Sequence, residues 1–403
     1  MTPPEHYGPV VHDWPLVPLP RTDFDPVPHR LLHEEPVARI RLPHGEGHAW
    51  LVTRYEDVKQ VTSDPRLSRA RTVGRPIPST TPHTLAPPGG VGRADPPDHT
   101  RLRRLVAPAF GRRRMTVLRE RTERTAGALA LRTLDAGPPA DIAETFVGPL
   151  SATVVAELLG IPAADLGRVQ EWRGGLLSHD TTAEEGESVK KEIAGYFAGL
   201  ARRRAEHPAD DLVSELAAAR AAGHLSTPEL VSLAVMLTLN GLDAVRNIVS
   251  TMVYVLLTHP DQTAKLRTEP GRLPRAVDEL FRYIPQRGGV GMPRVATADI
   301  EVGGVTIRAD EAVHVFYPAA NRDPAVYNEP DRLDLGRDEA PHLAFGHGAH
   351  YCAGAQLARM EAEVMLGTLL TRFPGLALAV PPDRIAWRAG AVNRGPETLP
   401  VTW

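Results

Sequence analysis

The chain has almost no cysteine: one thiol, Cys352, in 403 residues. One cysteine cannot close an intramolecular disulfide, and no C-x-x-C pair is present for zinc, so a secreted disulfide scaffold is excluded. The N-terminus lacks a basic start followed by an apolar run, and there is no uncharged apolar stretch of roughly 18 residues, the length of a membrane span. A cytoplasmic chain with no membrane partner is expected. Neither sign of charge prevails: 46 Lys and Arg against 49 Asp and Glu leave −3, which gives no reason to expect nucleic acid. A G-x-S-x-G elbow and a G-x-x-x-x-G-K-[ST] loop are also missing, which argues against a serine hydrolase and a phosphate-cradling loop. Finally, no Gly/Ser linker or repeat divides the chain, and its 39 prolines are spread through it. One large domain over residues 1–403 is expected.

Alternation in "VARIRL" and "AWLVT" predicts an early hairpin, followed by a short helix "RYEDVKQVTSD" that stops at Pro65. Residues 66–93 have no apolar period and read as a long structureless loop of the kind that covers sites. From "DPPDHTRLRRLVAPAF" to about residue 285, Ala/Leu/Arg-rich segments with helical spacing predict a mostly helical body. The longest, from an N-cap at Ser226 or Thr227 with Pro228 in its first turn, runs about 30 residues and is apolar on most sides, as befits a helix through the centre of a domain. "DIEVGGVTIRADEAVHV" predicts a hairpin and a further strand, "CAGAQLARMEAEVMLGTLLTRFPG" a buried helix, and the last thirty residues short strands. The fold class is mainly α with small β-sheets.

Cys352 lies in "HLAFGHGAHYCAG" among Gly346, Gly348 and Gly354. Glycines there allow a tight loop pressed against a flat object, and a helix beginning near Ala353 would favour a thiolate. A lone cysteine is ordinarily a buried, inert side chain. Its context points elsewhere: "FGHGAHYCAG" resembles the haem-binding signature of the cytochrome P450 superfamily, F-G-x-G-x-H-x-C-x-G, in its soluble bacterial, actinomycete-like class, with every fixed position present. The resemblance covers nearly the whole chain. It implies a cytochrome P450 fold with haem b (iron protoporphyrin IX), Cys352 as its axial thiolate and metal ligand, Phe345 near the sulfur and His350 on a propionate. Thiolate donation favours O–O cleavage.

The other matches are shorter. Glu279 and Arg282 in "VDELFRYIP" resemble the family's E-x-x-R, and "YNEPDRL" its segment that supplies a second arginine, Arg332, to a buried ion network. Alone, Glu279 and Arg282 would be an ordinary surface i,i+3 pair. His99 and Arg103 share a helix face, and the resemblance places them, with Arg294, on the haem carboxylates. The arginines at 101, 103, 104 and 112–114 could steer an acidic ferredoxin to the cysteine side, or form a solvated surface.

One motif departs from the pattern. Where the family usually has A-G-x-[DE]-T on its long helix, an acid and an alcohol that deliver protons, this chain has "NGLDAV". Gly241 keeps the notch for oxygen and Asp243 the acid, but Ala244 replaces the threonine and Asn240 the small first residue. Asn240 and Ala244 share a face that the resemblance directs at the haem, although an Asn here could be satisfied by its own helix. These four residues are the catalytic candidates. Substrate contacts are expected from Asn240, Ala244, Gln286, Val290 and the 66–93 loop. The implied enzyme takes electrons from NAD(P)H through ferredoxin reductase and ferredoxin. It oxidises a bulky small-molecule natural product, by oxidative coupling or hydroxylation of an aromatic or cyclic dipeptide type, or by hydroxylation of a macrolide or terpenoid with substrate-assisted protonation. A non-catalytic haem protein that binds a ligand is the rival of another class.

Overall fold

The computed structural model describes residues 10–14, 19, 21–80, 90–177, 183–286, 290–388 and 393–403. Its body is helical. Asp98–Val106, Arg112–Ala136, Gly148–Leu159, Ala183–Glu206 and Leu212–Ala221 lead to the central helix Thr227–Thr258, and Leu273–Tyr283 and Ala355–Arg372 follow it. The central helix starts where the sequence says: Ser226 caps it, and the Glu229 carboxylate accepts the Ser226 N–H at 2.8 Å, a reciprocal pair that satisfies two end donors. Among the described residues it is the one helix long and apolar enough to cross a membrane. Here it packs against Gly148–Leu159, Ala183–Glu206 and Ala355–Arg372. Val249, Met252 and Val253 meet Leu150 and Val154 of Gly148–Leu159 in the largest hydrophobic cluster.

The sheets are small. Six strands run in the order Val11–Asp13, Val37–Arg41, Ala49–Val52, Ala312–Val315, Arg294–Ala296, Leu67–Ser68. The predicted early hairpin is its second and third strands, paired antiparallel with Val37 opposite Val52. Ile300–Val302 and Val305–Ile307 form the later hairpin, and Pro400–Thr402 lies between Ala377–Leu378 and Ala140–Asp141.

Two expectations change. Residues 66–93 are not structureless throughout: Leu67–Ser68 joins the sheet, and Ala70–Thr72 and Val91–Arg93 form single 3₁₀ turns, held because Asp95 accepts from the Ser68 hydroxyl and the Arg69 amide. Residues 81–89 of that loop, like 287–289 after Gln286 and 389–392 near the C-terminus, lie outside the described residues. The helix after the cysteine starts at Ala355 with Gly354 as its cap, so Cys352 lies in the loop before it and not in its first turn.

Candidate active site

The cysteine loop is fastened on every side. Gly348 has φ +71, and a Cβ there would lie 2.2 Å from the Thr62 carbonyl oxygen, so only glycine lets the loop meet the helix Tyr55–Ser63. His347 Nδ1 reaches the Thr62 and Ser63 hydroxyls at 3.2 and 3.1 Å. The Cys352 amide donates to the Phe345 carbonyl at 2.9 Å, and the Leu343 amide to Asn321 Oδ1 at 2.7 Å. Behind it, Phe345 packs at a tilt of 53° against Phe281, 4.6 Å between centroids, and carries Arg359 over its face at 4.6 Å. Asp278 holds Arg359 at 2.6 Å and His342 at 3.2 Å. The Cys352 thiol is left exposed.

Beside the thiol, positive groups gather. His99 and His350 lie 4.3 Å apart between ring centroids, and Arg69, Arg294 and Arg103 all act on His350. Burial, then those cations, push the His350 imidazole down to about 2, and burial lowers His99 as well. Arg103 Nη2 donates to the Tyr351 carbonyl at 2.5 Å and senses the charge of Cys352. Arg294 is buried on its strand, and both of its terminal nitrogens lack a hydrogen-bond partner among the described residues. Buried guanidinium donors with no acceptor are costly, so this arrangement is suited to anionic oxygens.

Glu279 and Arg282 face each other inside the fold, with N–O distances of 2.6 and 2.9 Å. Arg282 also donates to the Asn321 and Pro330 carbonyls, each at 2.8 Å. The second arginine is not the expected one. The Arg332 side chain is 59% exposed and pairs with Glu329 and Asp334, whereas Arg337, 7% exposed, reaches Glu279 at 3.2 Å. Arg332 contributes only its carbonyl, which accepts from Arg282 and Arg337. A turn closed by the Arg337 amide on the Asp334 carbonyl brings Arg337 back to the carboxylate.

On the central helix, Met236, Leu237, Asn240, Gly241 and Ala244 form a partly uncovered stripe at helical spacing between buried neighbours. Asn240 Nδ2 donates to the Met236 carbonyl at 2.8 Å, the local bond that the sequence allows, and its Oδ1 is left to the stripe. Gly241 serves packing: a Cβ there would come 2.7 Å from a Val155 methyl, so the expected notch for oxygen is where the helix Gly148–Leu159 crosses. Asp243 is buried, accepting from Asn247 at 2.9 Å, Arg388 at 3.1 Å and Asn393 at 3.2 Å. Gln286 accepts the Arg394 amide on its backbone carbonyl. Val290 is buried in the cluster of Trp14, Leu31 and Phe316, a packing position and not the inward-facing wall expected of it.

The sequence profile described as cytochrome P450 matches residues 182–384. Biflaviolin synthase of Streptomyces coelicolor is 46% identical over 98% of this chain and 97% of its own. The chain belongs to the cytochrome P450 family. Mycinamicin IV hydroxylase/epoxidase of Micromonospora griseorubida is 43% identical over 93% of this chain and 94% of its own. A crystal structure of a cytochrome P450 with biaryl coupling reactivity superposes with a TM-score of 0.94 at 43% identity, over 98% of this chain and all of the other.

This cytochrome P450 is therefore a monooxygenase-family enzyme of the bacterial type, and the family's cofactor is haem b. The residues present fit that group: an exposed thiol stands beside the cations that act on His350, and buried Arg294 has donors to spare. Sequence reasoning missed Arg69, Arg337 and the Asp278–Arg359–His342 brace. The only signal for Asp278 was its place next to Glu279.

Proposed function

We propose that this enzyme couples phenolic aromatic natural products oxidatively, and that the observation carrying this reading is the central-helix stripe without a hydroxyl. Asn240 gives one of its two amide N–H groups to Met236, an amide proton is too weakly acidic to relay, and Ala244 has nothing to donate. A phenol brings its own O–H to the site, so the proton that a threonine would relay comes from the substrate. Similarity to biflaviolin synthase and to the biaryl-coupling structure supports the same reading.

Cys352 would hold the haem iron through its thiolate. Arg69, Arg103, Arg294 and His99 would hold the carboxylates, with His350 neutral beside them and Phe345 against the sulfur. Haem bound there supplies oxygen activation, to which the thiolate donates electron density. Ala244 and the Asn240 amide orient the substrate ring. Asp243 joins a water-borne proton path only when Arg388, Asn247 or Asn393 releases its carboxylate.

Electrons come from NAD(P)H through a ferredoxin reductase and a ferredoxin in the cytoplasm. Phe110 lies beside Gly354 of the cysteine loop, which brings exposed Arg112 and Arg113 to that side. Arg114 and Arg101 are already paired, with Glu215 and Asp210 and with Glu229. Unchanged reduction kinetics after charge reversal at Arg112 and Arg113 would refute the docking role.

Hydroxylation of a macrolide is the second reading, favoured by similarity to mycinamicin IV hydroxylase/epoxidase. Incubation with a surrogate ferredoxin system and O2 separates the two. Hydroxylated naphthoquinones should give a product of twice the substrate mass less two hydrogens. A macrolide gaining one oxygen, with the quinone untouched, would favour hydroxylation. No product from either, at full haem content, would favour a ligand-binding protein.

A further inference from the structure

His314 stands at the centre of the six-stranded sheet, on the strand Ala312–Val315, and is buried. Its two ring nitrogens meet two different parts of the chain. Nδ1 lies 2.8 Å from the Gly291 carbonyl oxygen, and Nε2 lies 2.9 Å from that of Pro78. Pro78 belongs to the stem of the 66–93 loop, bridged to His44 through Ser79. Gly291 follows the E-x-x-R helix and precedes Met292, whose sulfur is 4.0 Å from Arg69 of the cation cluster. No other donor among the described residues is paired with either carbonyl.

A neutral imidazole has one N–H and one lone pair. With both nitrogens protonated the ring holds both carbonyls, and in its neutral form it holds one at a time. Burial, the largest influence, and Arg294 favour the neutral form, and the two carbonyls favour the charged one. In either form one ring stands between the two loops.

We propose that His314 is a positioning residue that ties the two loops assigned to the substrate chamber, the 66–93 stem at Pro78 and the segment at Gly291, through one shared imidazole ring. Its assignment to the chamber rests on the haem-thiolate reading; the tie itself does not. His314 touches neither cofactor nor substrate, and it sets specificity by fixing how far apart the two loop stems stand.

Side-chain amides can replace one ring nitrogen at a time. The nitrogen of Asn corresponds to Nδ1 and that of Gln to Nε2, so His314→Asn keeps the donor to Gly291 and His314→Gln the donor to Pro78. Amide hydrogen exchange on the holoenzyme reads the result directly. With His314→Leu, exchange should quicken about tenfold in segments 74–80 and 290–293 together, the loss expected for a buried hydrogen bond. His314→Gln should restore the first segment only, and His314→Asn the second only. A parallel titration with clotrimazole, a bulky azole, should weaken about tenfold in His314→Leu while imidazole, which needs only the iron, binds unchanged. Equal exchange in all variants, or parallel loss of both azoles, would overturn the proposal. If neither azole binds the wild-type protein, the haem reading fails while the exchange data still decide the tie. Should His314→Leu not fold, the Asn and Gln variants give the same discrimination.

Discussion

The cysteine loop and the central-helix stripe are built in opposite ways. Around Cys352, neighbouring backbone and side chains are tied to another element: His347 to Thr62, Leu343 to Asn321, Phe345 to Phe281. Along Asn240, Gly241 and Ala244, the fixed points are one local amide bond and the helix crossing at Gly241, where Val155 packs and the Ser151 hydroxyl donates to the Gly241 carbonyl at 3.3 Å. A loop held by many contacts keeps one geometry whatever binds opposite it. A stripe with few contacts takes its character from the ligand.

The comparison can be broken most severely at the thiol. Cys352→Ser should abolish turnover and the thiolate signature of the carbon monoxide difference spectrum, while folding is kept. Next comes the brace: Glu279→Gln leaves buried Arg282 without its carboxylate and Arg337 with Glu339 alone, and should cost about 3–5 kcal/mol in urea unfolding of the holoenzyme. Arg332→Ala in the same assay should change stability by no more than about 0.5 kcal/mol, as a surface substitution does. Equal costs would restore Arg332 to the network. Arg294→Ala should speed haem transfer to an acceptor apoprotein about tenfold or more, the worth of one charge-assisted hydrogen bond.

On the sparsely tied side the effects shrink. Ala244→Thr should leave stability within about 0.5 kcal/mol. It should lower peroxide release with a substrate that lacks a hydroxyl, and leave a phenolic one unaffected. A pH effect on the cofactor-free chain returns to the cysteine loop. His350 is held at about 2, so the unfolded chain takes up a proton that the folded chain refuses. Stability from this group is therefore complete above about 6.5, the ordinary imidazole value, and is lost as pH falls from there toward about 2. Urea midpoints at pH 7 and 5 should differ less in His350→Asn than in the parent.

The same contrast governs what could be read from the sequence. The cysteine loop is contiguous, so its fixed spacing carried both its position and its chemistry, and the capped central helix was legible from Ser226 onward. Arg332 and Arg337 lie five residues apart in one irregular segment, and only the turn at Asp334 decides which one points inward. Gly241 looks identical in sequence whether it makes room for a ligand or for Val155. Partners of Asp243 lie 145 and 150 residues away at Arg388 and Asn393, a distance that no local pattern spans.

The buried polar residues of the central helix have a meaning beyond the finished protein. While the chain is being made, Thr227–Thr258 offers a long apolar stretch that meets the criteria of a membrane-spanning segment. Asp243 and Arg246 fall in its middle, where each charge costs about 2.5–3.5 kcal/mol on entering a bilayer through the insertion machinery. The residues that fasten the finished helix to Arg388 and to Glu144 also raise the cost of inserting that stretch into a bilayer.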